Sequence, residues 1–221
     1  MSTIREHTRW NATASAERPS AWNATASAER PSAWSATASA ERPSAAKAWL
    51  RALELTAPIA KRPDRILPTV VDELADRFGD APALIAEGES LSYRSLAQRS
   101  AQYARWAVDH GITKGDCVAL LMPNRPEYVA CWLGITRAGG VVALLNTNLS
   151  GAALAHSLQT VAPRHVIVDR ELESTIDRYS SDPLSSADCP PVTIADRALY
   201  IFTSGTSGPS KAANVSHGRV M

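Results

Sequence analysis

Two short apolar runs, Cys117–Met122 and Val141–Leu145, constrain this chain more than anything else in it. Neither alternates apolar with polar residues, so each suits a strand covered on both faces. Between them Pro126 opens a stretch with Val129, Trp132, Leu133 and Ile135 at helical spacing, and Gly139-Gly140 closes it. Two buried strands joined by a helix are a parallel βαβ unit. The pattern extends in both directions. Ser92 is placed to cap a helix with Leu96, Ala97, Ala101, Ala104, Ala107 and Val108 inward, ended by Gly111. Ala152–Val161 is a helix stopped by Pro163, and His165–Val168 is a strand. Upstream, Lys47–Thr56 is a short helix stopped by Pro58, and Pro68–Phe78 is a second, with Gly79 beyond it. Ala83–Glu87 is a strand turned by Gly88-Glu89-Ser90. Tyr179–Val192, rich in Ser, Asp and Pro, is a surface connection. Leu199–Phe202 is a strand, Asn214-Val215 its return, and Ser216 starts another helix. The expected fold class is α/β: a mostly parallel sheet with helices on its faces.

The first part of the chain has a different character. Trp10–Ala21 reads WNATASAERPSA, Trp22–Ala33 repeats it identically, and Trp34–Ala45 changes only the second residue, to Ser35. The unit is too short and polar to stack as a repeat module, and a proline in each copy interrupts any long helix. The expected organisation is a disordered repeat tail over residues 1–46 and a globular part over 47–221. Asn11 and Asn23 sit in N-x-T triplets, but no basic-then-apolar leader accompanies them.

Bulk properties exclude several classes. A net charge of +1 gives no electrostatic case for nucleic acid. Cys117, Cys131 and Cys189 are odd in number and widely spaced, which argues for a reducing compartment and against a zinc site. No apolar stretch approaches a membrane span, because Cys131–Leu145 is broken by Arg137 and the paired glycines. The expected location is cytoplasmic. Trp49, Leu50 and Leu53 are expected to dock on the rest of the domain, since the helix has a short polar face. Peripheral contact with a membrane is the alternative. Trp132 is read as core packing. His110, His156 and His165 form no ligand spacing, and His217 is read as structural or solvent-facing rather than as a base.

The chemistry concentrates in Thr203-Ser204-Gly205-Thr206-Ser207-Gly208-Pro209-Ser210-Lys211. Glycines allow positive φ and close approach to a ligand. Successive backbone N–H groups form an anion-binding concavity, hydroxyls add donors, and lysine adds a mobile charge suited to phosphate. The loop is not the GxxxxGK[ST] pattern: counted from Gly205, the sixth residue is Ser210 and the eighth is Ala212. On residue chemistry alone, a phosphate cradle and a plain Ser/Gly turn stay balanced.

The loop with Ala198–Phe202 before it resembles the phosphate-binding signature of the AMP-forming acyl-CoA synthetase superfamily, usually TSGTTG, two further residues, then Lys. Met122–Leu149, with Asn146-Thr147-Asn148, resembles the fatty-acid transport and long- and very-long-chain acyl-CoA synthetase group of that superfamily. The resemblance covers roughly Ala48–Met221 and implies an incomplete N-terminal domain of the adenylate-forming fold. It implies that Thr203, Ser204, Gly205, Thr206, Ser207, Gly208 and Lys211 hold the β- and γ-phosphates of ATP together with Mg2+. A fatty-acid carboxylate then attacks the α-phosphorus, releasing pyrophosphate, and coenzyme A displaces AMP to give the thioester. Ser207 stands where threonine is usual, and Pro209-Ser210 where Leu-Pro is usual. The proline therefore restricts Gly208. In the family, the groups for adenine, ribose and the acyl chain come later in sequence than Met221. The isolated 221-residue chain is therefore expected to lack ligase activity. The other readings are an aryl- or amino-acid-activating relative, and a non-catalytic nucleotide-binding or pseudogene-like product.

Overall fold

A computed structural model describes residues 44–170, 172–203 and 210–221. Ser44–Met221 forms one compact unit, and the repeat reading lies outside the described residues. The first helix, α1, spans Ala45–Lys61, with the Ser44 hydroxyl accepting from the Lys47 N–H. It runs through Pro58 rather than stopping before it. Proline removes one N–H partner from the Glu54 carbonyl, but Glu54 is exposed, where water replaces the lost bond. α2, Leu67–Phe78, has proline in its first turn and Gly79 at its C-cap with φ 52°.

The stretch after Gly79 folds back as a hairpin. β1 (Pro82–Ala86) pairs antiparallel with β2 (Glu89–Ser92), and Ala86 faces Glu89. The reversal is therefore Glu87-Gly88, and the expected turn residues Glu89 and Ser90 belong to a second strand. Gly88 supplies the positive φ (74°) that a two-residue turn needs. Leu84 and Leu91 pack against the main core. α3, Tyr93–Asp109, starts where expected: Ser92 Oγ accepts from the Ser95 N–H at 3.1 Å.

The sheet comprises β3 (Cys117–Leu121), β4 (Val141–Leu144), β5 (His165–Val168), β6 (Arg197–Thr203) and β7 (Lys211–Ser216). Their order is β5-β3-β4-β6-β7; all neighbours are parallel except β6 and β7. α4 (Pro126–Arg137) carries β3 to β4, and α5 (Gly151–Val161) carries β4 back to β5 on the far side of β3. Crossovers in opposite directions place their helices on opposite faces. One core accordingly holds Val118, Leu120, Val142 and Ile167 of the sheet with Tyr103, Trp106, Leu133 and Ile135 of α3 and α4. The other holds Cys117, Ala119 and Ala143 with Val161, Leu154 and Leu158 of α5. Val129 and Trp132 are half-buried at the margin of the first core, while Ala130 and Cys131 are enclosed.

A short helix, α6 (Glu173–Ile176), interrupts the segment after β5, which the sequence left unassigned. It is tied down by charge: Arg99 donates to Glu127 at 2.7 Å and to Asp177 at 2.6 Å, and the Tyr103 hydroxyl donates to Glu127 at 2.6 Å. The Tyr179–Val192 connection has no strand or helix, and Arg105 holds it by donating to the carbonyls of Ser180 and Asp182 at 2.8 Å each. A last turn of helix, α7, covers His217–Val220.

Candidate functional site

Because β3, β4 and β6 run parallel, their carboxyl ends share one edge of the sheet, the place where open α/β sheets bind ligands. β4 pairs Leu144 with Ile201 of β6, so the chain just beyond each, Asn146 and Thr203, lies at that edge. Asn146 shapes a turn there, its Oδ1 accepting from the Asn148 N–H at 2.9 Å. The Asn146-Thr147-Asn148 stretch thus has a local structural role that uses one of its two asparagine side chains.

Thr203 and Lys211 are the last facing pair of the β6–β7 hairpin. The Thr203 hydroxyl donates to the Lys211 carbonyl at 3.5 Å. Both side chains are exposed, and Lys211 makes no ion pair among the described residues. The hairpin therefore fixes the two ends of the glycine-rich segment close together. Ser204, Gly205, Thr206, Ser207 and Gly208 lie outside the described residues, as does Pro209. Of the seven residues that the resemblance points to, the structure brings Thr203 and Lys211 together at the carboxyl edge.

The sequence offered no reason to notice His156. On α5, its Nε2 lies 3.2 Å from the Ser210 carbonyl, and Nε2–H donates to it in the tautomer that makes this contact. Thr160 is anchored on the same turn by donating to the His156 carbonyl at 2.8 Å. One end of the segment is thus held by strand pairing and a helix side chain. A histidine midway along a helix gives no signal of this, because the partner is a carbonyl fifty-four residues away.

His217, just beyond β7, is 1% exposed, which settles it as a buried histidine rather than a solvent-facing one. Burial pushes its pKa down to about 4. Its backbone N–H donates to the Asp196 carbonyl at 2.9 Å. Burial raises the Asp196 carboxyl, but Lys114 Nζ, 2.8 Å away, and the Thr193 N–H and hydroxyl hold it below the usual range. Trp132, half-buried against the main core, is a packing residue as read from the sequence.

A parallel-sheet edge, a hairpin that closes a hydroxyl- and glycine-rich segment, and an unpaired lysine at its end suit a polyphosphate anion. Residues 71–221 match the AMP-binding enzyme family. Long-chain fatty acid transport protein 2 of Rattus norvegicus is 32% identical over 194 residues, covering 72% of this chain and 31% of its own length. The medium/long-chain-fatty-acid–CoA ligase FadD6 of Mycobacterium tuberculosis is 30% identical over 173 residues, covering 68% of this chain and 29% of its own length. Among solved structures, the NpsA N-terminal subdomain of Klebsiella oxytoca in complex with 3-hydroxyanthranilyl-AMSN superposes with a TM-score of 0.61. It is 25% identical and covers 69% of this chain and 41% of that one. The chain thus spans about a third of the length of the curated relatives it matches. With the mostly parallel sheet and the residues matched, this chain belongs to the AMP-binding enzyme family and carries the N-terminal part of the adenylate-forming fold.

Proposed function

We propose that this chain supplies the ATP-phosphate-binding front part of a fatty-acid–CoA ligase. The observation that carries the reading is the pairing of Thr203 with Lys211 at the carboxyl edge of the parallel strands, with Lys211 left without an acidic partner among the described residues. The Lys211 ammonium faces the β- and γ-phosphates, and the Thr203 hydroxyl and the backbone N–H groups of Ser204–Gly208 complete the cradle. His156, by holding the Ser210 carbonyl, fixes where that cradle ends. Mg2+ enters with the triphosphate, which supplies most of its ligands in sites of this kind. The carboxylate oxygen of the acid forms a bond to the α-phosphorus as the bond to pyrophosphate breaks. The coenzyme A thiol then attacks the acyl carbonyl and AMP leaves. Positioning and charge stabilisation are the protein's share of both steps.

The relatives named for long-chain fatty acids favour a long-chain acid. The likeness to a subdomain complexed with an anthranilyl analogue supports the competing reading, an aryl-acid-activating relative. The three cysteines, all free and two of them buried, support a reducing, cytoplasmic setting. Calorimetric titration of the 221-residue chain with Mg-ATP tests the core of the reading. Binding is expected, weakened about tenfold in Lys211→Met, as for loss of one charge-assisted hydrogen bond. Absence of ATP binding, or binding that ignores Lys211, defeats it.

A further inference from the structure

The glycine-rich segment is closed by more than its hairpin. α5 is seated on the second core through Leu154, Leu158 and Val161. Ser157 is buried with them, its hydroxyl donating to the Ala153 carbonyl at 3.0 Å. His156, the neighbour of Ser157, is half-buried and so stands on a firmly packed helix. Two oxygens lie near its Nε2. The Ser210 carbonyl, 3.2 Å away, can only accept. The Thr160 hydroxyl, 3.5 Å away, already donates its proton to the His156 carbonyl at 2.8 Å, so it too is left to accept. A ring nitrogen with acceptors and no donor beside it carries the proton, and an imidazolium keeps the same N–H. The bond to Ser210 therefore does not depend on the charge of the ring.

We propose, on the phosphate-binding reading of the glycine-rich segment, that His156 is a positioning residue for the outer phosphates of the nucleotide, acting through Lys211 without touching the ligand. Ser210 lies just before the first paired residue of β7, so strand pairing by itself leaves its carbonyl free to turn. The Ser210 carbonyl and the Lys211 N–H belong to one planar peptide unit. A hydrogen bond on that carbonyl fixes the plane from which Lys211 departs. Lys211 is then held from α5 on its amino side and from Thr203 of β6 across the hairpin, while its side chain stays exposed. A lysine ammonium is a mobile point charge on a flexible stem, and ordering it around a ligand costs conformational entropy. The His156 bond removes freedom from the base of that side chain before the ligand arrives, which is preorganisation. Its effect on binding passes through the ammonium and vanishes when the ammonium is absent.

A double-mutant cycle on Mg-ATP affinity, measured by calorimetric titration of the 221-residue chain, tests it. His156→Phe and His156→Leu remove the donor with a larger and a smaller apolar group, whereas His156→Gln keeps an N–H near the position of Nε2. Each apolar variant is expected to weaken Mg-ATP binding about fivefold, the size of one neutral hydrogen bond. His156→Gln is expected to recover most of that loss. In a Lys211→Met background the apolar changes are expected to cost nothing further, because residues that act through one group are not additive. Unchanged affinity in His156→Phe or His156→Leu overturns the proposal. So does a loss in His156→Gln as large as theirs, or a loss that adds in full to that of Lys211→Met. In each of those cases Lys211→Met still weakens binding, and the phosphate-binding reading stands. A wild-type chain that binds no Mg-ATP, or whose binding ignores Lys211, overturns both.

Discussion

At the scale of single residues, His217 is the group whose surroundings most change its chemistry. The unfolded chain titrates it near 6.5, whereas the folded chain titrates it near 4, because burial disfavours the imidazolium. Between those values the unfolded state binds a proton that the folded state does not, so acid favours unfolding. Stability from this group is complete above about pH 6.5 and is lost as pH falls towards 4, at most ~1.4 kcal/mol per pH unit. Melting curves across that window should show wild type losing stability that His217→Phe does not lose. Parallel slopes for the two proteins would mean that the imidazole is not excluded from water. Asp116 and Asp196, held below their usual range by hydrogen bonds and cations, add acid lability as pH falls below about 5, which overlaps only the bottom of this window and is shared by both variants. The same comparison of two variants thus separates the histidine from the carboxylates.

At the scale of elements, the α3–α4 crossing decides how closely the helical layer packs on the sheet. A Cβ added at Gly134 would stand 2.4 Å from both the Ser100 carbonyl oxygen and the Tyr103 Cβ. The obstacle includes backbone, so no rotamer change relieves it. Tyr103 is fully buried, and its hydroxyl already donates to Glu127, which leaves the helix no room to slide. Gly134→Ala is expected to destabilise by about 1–3 kcal/mol through overpacking, despite the better helix propensity of alanine. Chemical denaturation would measure it, and a neutral or stabilising result would show that the helices can part. Periodicity placed α3 and α4 correctly but could not single out Gly134, since a glycine inside a helix has the same appearance whether or not another backbone crosses there. The β1–β2 hairpin was missed for a related reason. Glu-Gly-Glu-Ser offers several positions for a turn, and only the pairing of Leu84 with Leu91 selects one.

At the scale of the whole molecule, the described sheet ends in β5 on one side and β7 on the other. Its α3–α4 face is covered, whereas the other face has α5 over its centre and leaves Val166 of β5 44% exposed. An outer strand with apolar residues facing water is a template for pairing with another chain. Light scattering should therefore show an average mass that rises with concentration, and Val166→Lys should suppress the rise. A wild-type chain that stays monomeric throughout would mean that the edge is protected. The sequence by itself determined the α/β class, the order of the parallel units and the location of the glycine-rich segment, because burial on both faces and helical spacing are written in local residue patterns. Of the candidate site, it pointed to Thr203 and Lys211 through chemistry and resemblance alone. Tertiary structure decided that these two face each other across a hairpin, that His156 reaches the Ser210 carbonyl, that His217 is sealed from water, and that Trp49, Leu50 and Leu53, expected to dock, stay 66%, 58% and 47% exposed. Each of these depends on which surfaces meet across long stretches of chain, and a local pattern carries no record of its distant partner.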